Sequence, residues 1–358
     1  MTEALIEYGL FMAKSLTLIA LLVLAMILVL RARRQGAELA ADTDLGQLEI
    51  VSLNDHYDDI ADALRRATLP RKRYRRVAKA RRKADKQRAK AEEQALRRVF
   101  VIDFHGDIMA SEVGGLREIV SAVLIEAADQ DEVLLRLDNA GGVVHEHGLG
   151  ASELLRLRAR GIRLTVAVDK VAASGGYLMA SVADRILAAP FAVIGSIGVL
   201  AELPNFHRLL QRSGVDFELH TAGEYKRTLT LFGENTDEGR DKLREQLEET
   251  HRLFKAFIGR HRSGLDVDKV ATGEYWNGEQ ALALGLVDEL TTSDDFLLAA
   301  RDDAELFKLR YKTRKSPVER LLGNLRSALA RGAQSLGARA LVAPSPLPAG
   351  RRGRVERP

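Results

Sequence analysis

The sequence contains no cysteine, which excludes a disulfide, a thiolate nucleophile and a cysteine-ligated zinc site. This absence is compatible with either side of a bacterial membrane, so it does not locate the protein. Proline is also scarce, and four of the eight prolines lie in residues 343–358 among arginines and glycines. A segment of that composition cannot bury a core, and we therefore expect a disordered tail.

Long apolar runs are equally rare, since the chain has a single one, at residues 8–30. This length suffices to cross a hydrocarbon core about 30 Å thick. A cleaved signal peptide would need a positively charged start, but the first nine residues carry Glu3 and Glu7 and no base. The run is followed instead by Arg31, Arg33 and Arg34. The pattern predicts an uncleaved single-pass anchor over 8–30.

The distribution of basic residues predicts the orientation of this anchor. Positive charge follows the span and is lacking before it, so the positive-inside rule places the body in the cytoplasm. Residues 71–98 are rich in Ala, Lys, Arg and Gln, which favours a long polar helix near anionic headgroups. Binding to nucleic acid is not expected, because Tyr74 is the only aromatic inside the basic run. We expect the bacterial inner membrane, with a periplasmic body as the alternative.

The chain divides into four predicted regions. The anchor at 8–30 precedes a polar linker and basic juxtamembrane helix at 31–98, and a globular domain follows at 99–312. Residues 313–358 hold a basic amphipathic segment, suited to a membrane surface or a partner, and the tail. Within the globular domain, strand-like and helical patterns alternate, which predicts parallel βαβ units in an α/β fold. The clearest predicted elements are strands at 98–104, 133–137 and 162–168 and helices at 116–127 and 148–160.

One serine stands out among small residues. Ser174 lies in the stretch VAASGGYLMA at 171–180, just after a predicted buried strand at 164–168. A serine at such a turn has an exposed hydroxyl beside open backbone amides, as a nucleophile requires. The alternative explanation for the small residues is tight packing of a helix on a strand.

A nucleophilic serine needs a base, and the residues leave two kinds open. His145 and His147 follow the Gly-Gly pair at 141–142 and are the histidines best placed in sequence to approach the serine. Lysine can serve instead where an apolar site keeps its amine neutral. Lys226 lies in a largely uncharged segment at 220–231, where an ordinary surface lysine is the competing interpretation.

Five sequence blocks together resemble one known family. They are NAGG at 139–142, DKVAASGGYLMA at 169–180, GSIGV at 195–199, TAGEYKR at 221–227 and GEYWNGEQALALGLVDEL at 273–290. In this order they resemble the signal peptide peptidase A family of serine–lysine peptidases, in its SohB-like branch. The resemblance is close over about residues 98–295. It extends to the anchor only in that members of this branch also carry one at the N-terminus.

The resemblance implies a fold and a catalytic pair. The fold would be ClpP/crotonase-like, with stacked ββα units, and the protein would form a homo-oligomer. Ser174 would be the nucleophile, Lys226 the general base and Ser196 a hydroxyl that orients the lysine amine. Related Clp peptidases use a histidine, but the corresponding region GSIGVL has none, which disfavours His145 and His147.

The resemblance also implies the remaining site residues. Backbone amides of Gly141 and Gly175 would hold the oxyanion, and glycine at 141 and 142 would leave room for the backbone of the peptide. No metal or cofactor is expected. The family commonly has Ser-Pro where this chain has Asn139-Ala140, and the loss of the proline would loosen the oxyanion loop.

These observations favour a membrane-anchored serine endopeptidase. Its expected substrates are signal-peptide remnants or unfolded and membrane-derived polypeptides. The alternative is a catalytically impaired, membrane-tethered oligomeric scaffold of the same fold, supported by the change at Asn139-Ala140. Acyl-CoA chemistry is a third, disfavoured possibility, because such sites carry no serine–lysine pair.

Overall fold

A mostly parallel β-sheet organises the part of the chain that this computed structural model describes, namely residues 17, 46–91 and 97–312. The apolar strands at its centre are buried on both faces, as parallel strands usually are. In chain order the strands are β1 (Gln47–Ser52), β2 (Arg97–Gly106), β3 (Glu132–Asn139), β4 (Arg163–Val168), β5 (Val171–Ala173), β6 (Arg185–Ala188), β7 (Val193–Gly195), β8 (Tyr275–Trp276), β9 (Glu289–Leu290) and β10 (Ala304–Lys312).

The sheet branches at the carboxyl end of β3. Its main path runs β1-β10-β2-β3-β4-β6-β9, with the registered pairs from β10 to β9 all parallel. A side branch begins where Asn139 pairs with Ala172 of β5, continues to β7 and ends on the antiparallel β8. The ends of β3, β5 and β7 are thereby brought together at one edge.

Helices cover both faces of the sheet. Helices α3 to α5 and α7 pack on the face that holds the larger apolar core, and α1 and α10 on the other. The helices are α1 (Leu53–Thr68), α2 (Arg71–Ala91), α3 (Val113–Glu126), α4 (Val144–Ala159), α5 (Gly175–Ala180), α6 (His207–Arg212), α7 (Asp237–His261), α8 (Val267–Val270), α9 (Gly278–Ala283) and α10 (Ser293–Ala300). The α/β class expected from the alternating patterns is confirmed.

The structure differs from the sequence prediction in the polar linker, which the prediction places before the basic helix, at 31–70 of the 31–98 region. Its second half forms β1 and α1, and residues 48–312 make one compact unit. Ser52 caps α1, and Asn54 exchanges hydrogen bonds with the backbone of Ala304 and Leu306, which fastens the helix to β10. The sequence of α1 is mostly polar, because only one narrow face of this helix, with Leu53 and Tyr57, packs against the core.

The predicted anchor at 8–30 lies outside the described residues except for Thr17. Among the residues that are described, none of the helices combines the length and the apolar character needed to cross a bilayer. The basic helix expected at 71–98 is seen as α2 over Arg71–Ala91, and the predicted tail at 313–358 also lies outside the described residues.

Candidate active site

Ser174 occupies a strained turn between β5 and α5. Its backbone adopts φ 52° and ψ −120°, a conformation that non-glycine residues rarely take. Two hydrogen bonds hold it there, from the Ser174 N–H to the Gly195 carbonyl (2.8 Å) and from the Leu178 N–H to the Ser174 carbonyl (3.0 Å). Strain of this kind persists only where the surroundings enforce it, and a strained strand-to-helix turn is how many hydrolases expose a nucleophilic serine.

Glycines around Ser174 are required by close backbone approach. A Cβ added to Gly141, whose φ is 88°, would lie 2.7 Å from the Cβ of Ser174. At Gly142 it would lie 2.2 Å from the Ile108 carbonyl oxygen, and at Gly175 it would lie 2.5 Å from Cγ of His147. The loop at 140–142 therefore lies against Ser174 and Ile108 only because residues 141 and 142 carry no side chains.

The backbone amides near Ser174 differ in their availability. The Gly141 N–H already donates to Oδ1 of Asn139 at 2.8 Å. Within the described residues, the Gly142 and Gly175 N–H groups have no hydrogen-bond acceptor. Of the three glycines predicted to hold the oxyanion or the substrate, Gly142 and Gly175 are therefore the ones with free donors.

An apolar cavity of about 190 Å³ opens beside Ser174. One wall comes from the glycine loop and α4, and the opposite wall from α7. The lining residues are Gly142, Val144, Gly148, Ser174, Gly175, Leu178, Gly198, Val199, Thr250, Leu253, Phe254 and Phe257. The sequence pattern marked α7 only as a charged helix, although Leu253, Phe254 and Phe257 recur at helical spacing and signal an apolar face.

Ser196 lies close to Ser174 through strand pairing. Ala173 pairs with Gly195, so the two serines directly follow registered neighbours on β5 and β7. Ser196 also has a left-handed backbone, with φ 49°, and its N–H donates to the Glu274 carbonyl at 2.6 Å. The side branch of the sheet thus places both hydroxyl residues at the same edge.

Lys226 is not joined to Ser174 in this structure. Its side chain is exposed, and within the described residues its ammonium group makes no hydrogen bond or ion pair. The segment that carries it follows α6 and packs on α7 through Tyr225, whose ring centroid lies 4.8 Å from Nζ of Lys242. The structure therefore brings together Ser174, Ser196 and the glycines, and in the described residues it shows no hydrogen bond between Lys226 and Ser174.

Other titratable groups near Ser174 have structural partners. His145 is exposed and lies 3.6 Å from Glu146, whereas His147 is buried and bonded to the Val143 carbonyl. Burial raises the pKa of Tyr177 far above its ordinary value, and its hydroxyl donates to the Leu286 carbonyl. None of the three has a hydrogen bond to Ser174 in the described part of the chain, where no cluster of metal-ligating side chains occurs either.

The sequence matches the profiles of one peptidase family and several of its members. The profile of Peptidase family S49 N-terminal matches residues 3–154, and that of Peptidase family S49 matches 156–307. A probable protease SohB of Haemophilus influenzae is 47% identical over 331 residues, covering 89% of this chain and 92% of the relative. A probable protease SohB of Buchnera aphidicola from Schlechtendalia chinensis is 44% identical, covering 83% of this chain and 99% of the relative.

A solved structure of a membrane-bound stomatin-specific protease, 1510-N, aligns with a TM-score of 0.41 and 14% identity, covering 64% of this chain and 98% of that one. The full-length relatives are much closer in sequence than this structure. The chain therefore belongs to peptidase family S49, in its SohB-like branch.

Proposed function

We propose that this peptidase is a membrane-anchored serine endopeptidase with a serine–lysine dyad on a ClpP/crotonase-like fold. Ser174 is the nucleophile, Lys226 the general base and Ser196 the hydroxyl that orients the lysine amine. The observation that carries the proposal is the strained turn at Ser174, which presents a hydroxyl beside two unpartnered backbone amides. These are the groups that acyl transfer needs.

The reaction divides into two steps. Oγ of Ser174 attacks the scissile carbonyl carbon while the neutral amine of Lys226 takes its proton, and the amides of Gly142 and Gly175 hold the oxyanion. Collapse expels the leaving amine, which receives that proton, and leaves an acyl-enzyme. Water then attacks the ester with Lys226 again as base, which releases the acid and restores Ser174. The exposed segment that bears Lys226 must first approach Ser174.

The cavity beside Ser174 supports an apolar preference at the cut. Its walls are almost entirely aliphatic, aromatic or glycine, so a charged side chain would lose hydration there without gaining a partner. Signal-peptide remnants and unfolded or membrane-derived polypeptides present apolar side chains in extended form. We propose these as the substrate class.

Membrane attachment and assembly complete the proposal. The anchor at 8–30 would tether the protein, and the many exposed bases of α2 suit anionic headgroups. Exposed apolar side chains around the Lys226 segment, such as Phe206, Leu209 and Phe217, are consistent with a homo-oligomer.

Substitution of the two dyad residues tests the mechanism. Ser174→Ala and Lys226→Ala should each lower peptide hydrolysis at least about a thousandfold, since both groups act in one proton transfer. Ser213→Ala and Lys269→Ala, which change exposed residues of the same types, are matched controls and should retain full activity. Undiminished turnover in both dyad variants would rule the mechanism out.

The scaffold function remains a second candidate, favoured by the exposed position of Lys226. A fluorophosphonate probe separates the two, because it labels only an activated serine hydroxyl. Labelling that depends on both Ser174 and Lys226 supports the peptidase. Absence of labelling in the wild-type protein, under conditions where it is folded, supports the scaffold.

A further inference from the structure

We propose that Asn139 and His147 are positioning residues, a buried polar pair that holds the glycine loop at 140–142 against Ser174. This inference rests on the proposed function for its effect on rate, whereas its effect on the loop can be measured independently. Both side chains are completely buried, with 0% exposure. Buried polar groups are costly unless bonded, so their contacts indicate what they hold in place.

Asn139 ends β3 and closes the glycine loop through its side chain. Its Oδ1 accepts the Gly141 N–H at 2.8 Å, the short-range pattern by which asparagine stabilises turns. Its Nδ2 donates to Sδ of Met179 at 3.6 Å. Two glycines make room for this residue, because a Cβ on Gly106 would lie 2.2 Å from Cγ of Asn139 and one on Gly176 would lie 2.1 Å from its carbonyl oxygen.

His147 connects this turn to helix α4. Its Nδ1 lies 2.9 Å from the Val143 carbonyl oxygen, one turn back at the N-cap of the same helix. Its Nε2 lies 3.2 Å from Oδ1 of Asn139, which the Gly141 N–H identifies as the oxygen of that amide. The ring therefore bridges the Val143 carbonyl and the side-chain amide of Asn139, with each ring nitrogen at hydrogen-bond distance from an oxygen.

The imidazole ring also contacts the second element of the site. Only glycine fits at 175, because a Cβ there would lie 2.5 Å from Cγ of His147. The pair thus touches the loop that carries the Gly142 amide and the start of α5, which carries the Gly175 amide. A change in either side chain would alter the distance between the two proposed oxyanion donors.

This arrangement explains how the loop holds its shape with Ala140 in the place of a proline. The loss of the proline alone predicts a looser loop. In the proposal, the side chain of Asn139 offsets that loss, because its Oδ1 accepts the Gly141 N–H within the loop and lies 3.2 Å from Nε2 of His147, and connected buried networks of this kind favour one conformation.

Substitutions of the pair test the proposal. Asn139→Ala and His147→Phe remove the bonds, and each should lower kcat about tenfold to a hundredfold with KM changed less than about threefold. Asn139→Asp keeps an acceptor in the same place and should retain kcat within about threefold. Val133 is also fully buried but lies near the other end of β3. Val133→Ala is therefore the matched control for lost stability and should keep the wild-type kcat.

Hydrogen exchange of the peptide spanning 138–144 gives a readout that needs no activity. Exchange at Gly141 should be about tenfold faster in Asn139→Ala and His147→Phe than in the wild type or in Val133→Ala. Unchanged exchange and kcat in both variants would overturn the proposal, as would an equal loss of kcat in the Val133 variant. A wild-type protein that neither cleaves nor labels refutes the proposed function alone, and the exchange rates then still decide whether the pair holds the loop.

Discussion

At the scale of single residues, the reactivity proposed for Ser174 follows from conformation more than from residue type. The turn places Ser174 in the lining of the apolar cavity, and hydrogen bonds with Gly195 and Leu178 enforce its positive φ. Gly141 makes the arrangement possible, because its backbone lies against Ser174 at a distance that no other residue allows. The glycine is required by geometry, while its N–H is already used by Asn139.

Gly141→Ala tests this requirement. We expect labelling of Ser174 by a fluorophosphonate to slow about a hundredfold, because the methyl group would displace Ser174 from its turn. The labelling rate and the thermal unfolding midpoint are the measurements.

Gly161→Ala is the matched control for that variant. Gly161 has a similar φ of 76°, but nothing lies within 4 Å of an added Cβ. It should lose about 1–2 kcal/mol of stability through backbone strain and label at the wild-type rate. Equal labelling by the two variants would show that contact with Ser174 is unimportant.

At the scale of elements, the turn before β3 shows how a buried charge fixes a strand. Asp131 has a fully buried side chain and accepts hydrogen bonds from Arg98 and from the Ala128 backbone. Burial by itself would raise the pKa of Asp131, but these hydrogen bonds outweigh it and hold the pKa below its ordinary value. The turn therefore ties the end of α3 and the starts of β2 and β3 together.

Asp131→Asn should reduce the free energy of unfolding at pH 7 by about 1.5–3 kcal/mol, the range for hydrogen bonds to a charged group. Because the folded pKa is lowered, the stabilisation by Asp131 is present above the unfolded value near 3.9 and is lost as the pH falls through the folded value. The difference from wild type should thus narrow below about pH 4 in denaturant titrations.

Asp129→Asn changes an exposed carboxylate two residues away and is the matched control. It should leave stability within about 0.5 kcal/mol of wild type at every pH. A variant at Asp131 that behaves in the same way would mean that the buried contacts contribute nothing to folding.

At the scale of the whole molecule, the proposed catalytic residues and most of the clustered basic residues belong to different parts of the sequence. The proposed site lies at the carboxyl edge of the sheet, whereas the bases cluster in α2 and in the segment just after the predicted anchor. Short loops near a membrane span orient it by their bases, and this asymmetry underlies the prediction of a cytoplasmic body.

Reporter fusions at the C-terminus test that orientation in a bacterium. A green fluorescent protein should fluoresce and an alkaline phosphatase should stay inactive, because the first matures in the cytoplasm and the second needs the periplasm. Replacing Arg31, Arg33 and Arg34 by Glu should weaken the bias and raise phosphatase activity. An active phosphatase on the unaltered chain would place the body in the periplasm, the alternative weighed from sequence.

Much of the fold was predictable because its elements have simple local signatures. The apolar runs of β2, β3 and β4 and the periodic helices between them predict a parallel sheet. The pattern of residues 47–68 predicts a linker, whereas the structure forms β1 and α1 there. Both elements are mostly exposed and are held by hydrogen bonds between Asn54 and residues about 250 positions away, and contacts of that range produce no periodic pattern in the sequence.

The sequence by itself determined the α/β class and the family and predicted Ser174 as the nucleophile, since these depend on local patterns and on blocks of neighbouring residues. Only the tertiary structure decided which amides remain free, which helix lines the cavity, and that the Lys226 side chain is exposed without a hydrogen bond to Ser174. It also joined Asn139 to His147. The physical reason is that backbone strain, hydrogen-bond partners and close approach arise where distant segments meet, and the strained turn at Ser174 exists only because β7 and the glycine loop enclose it.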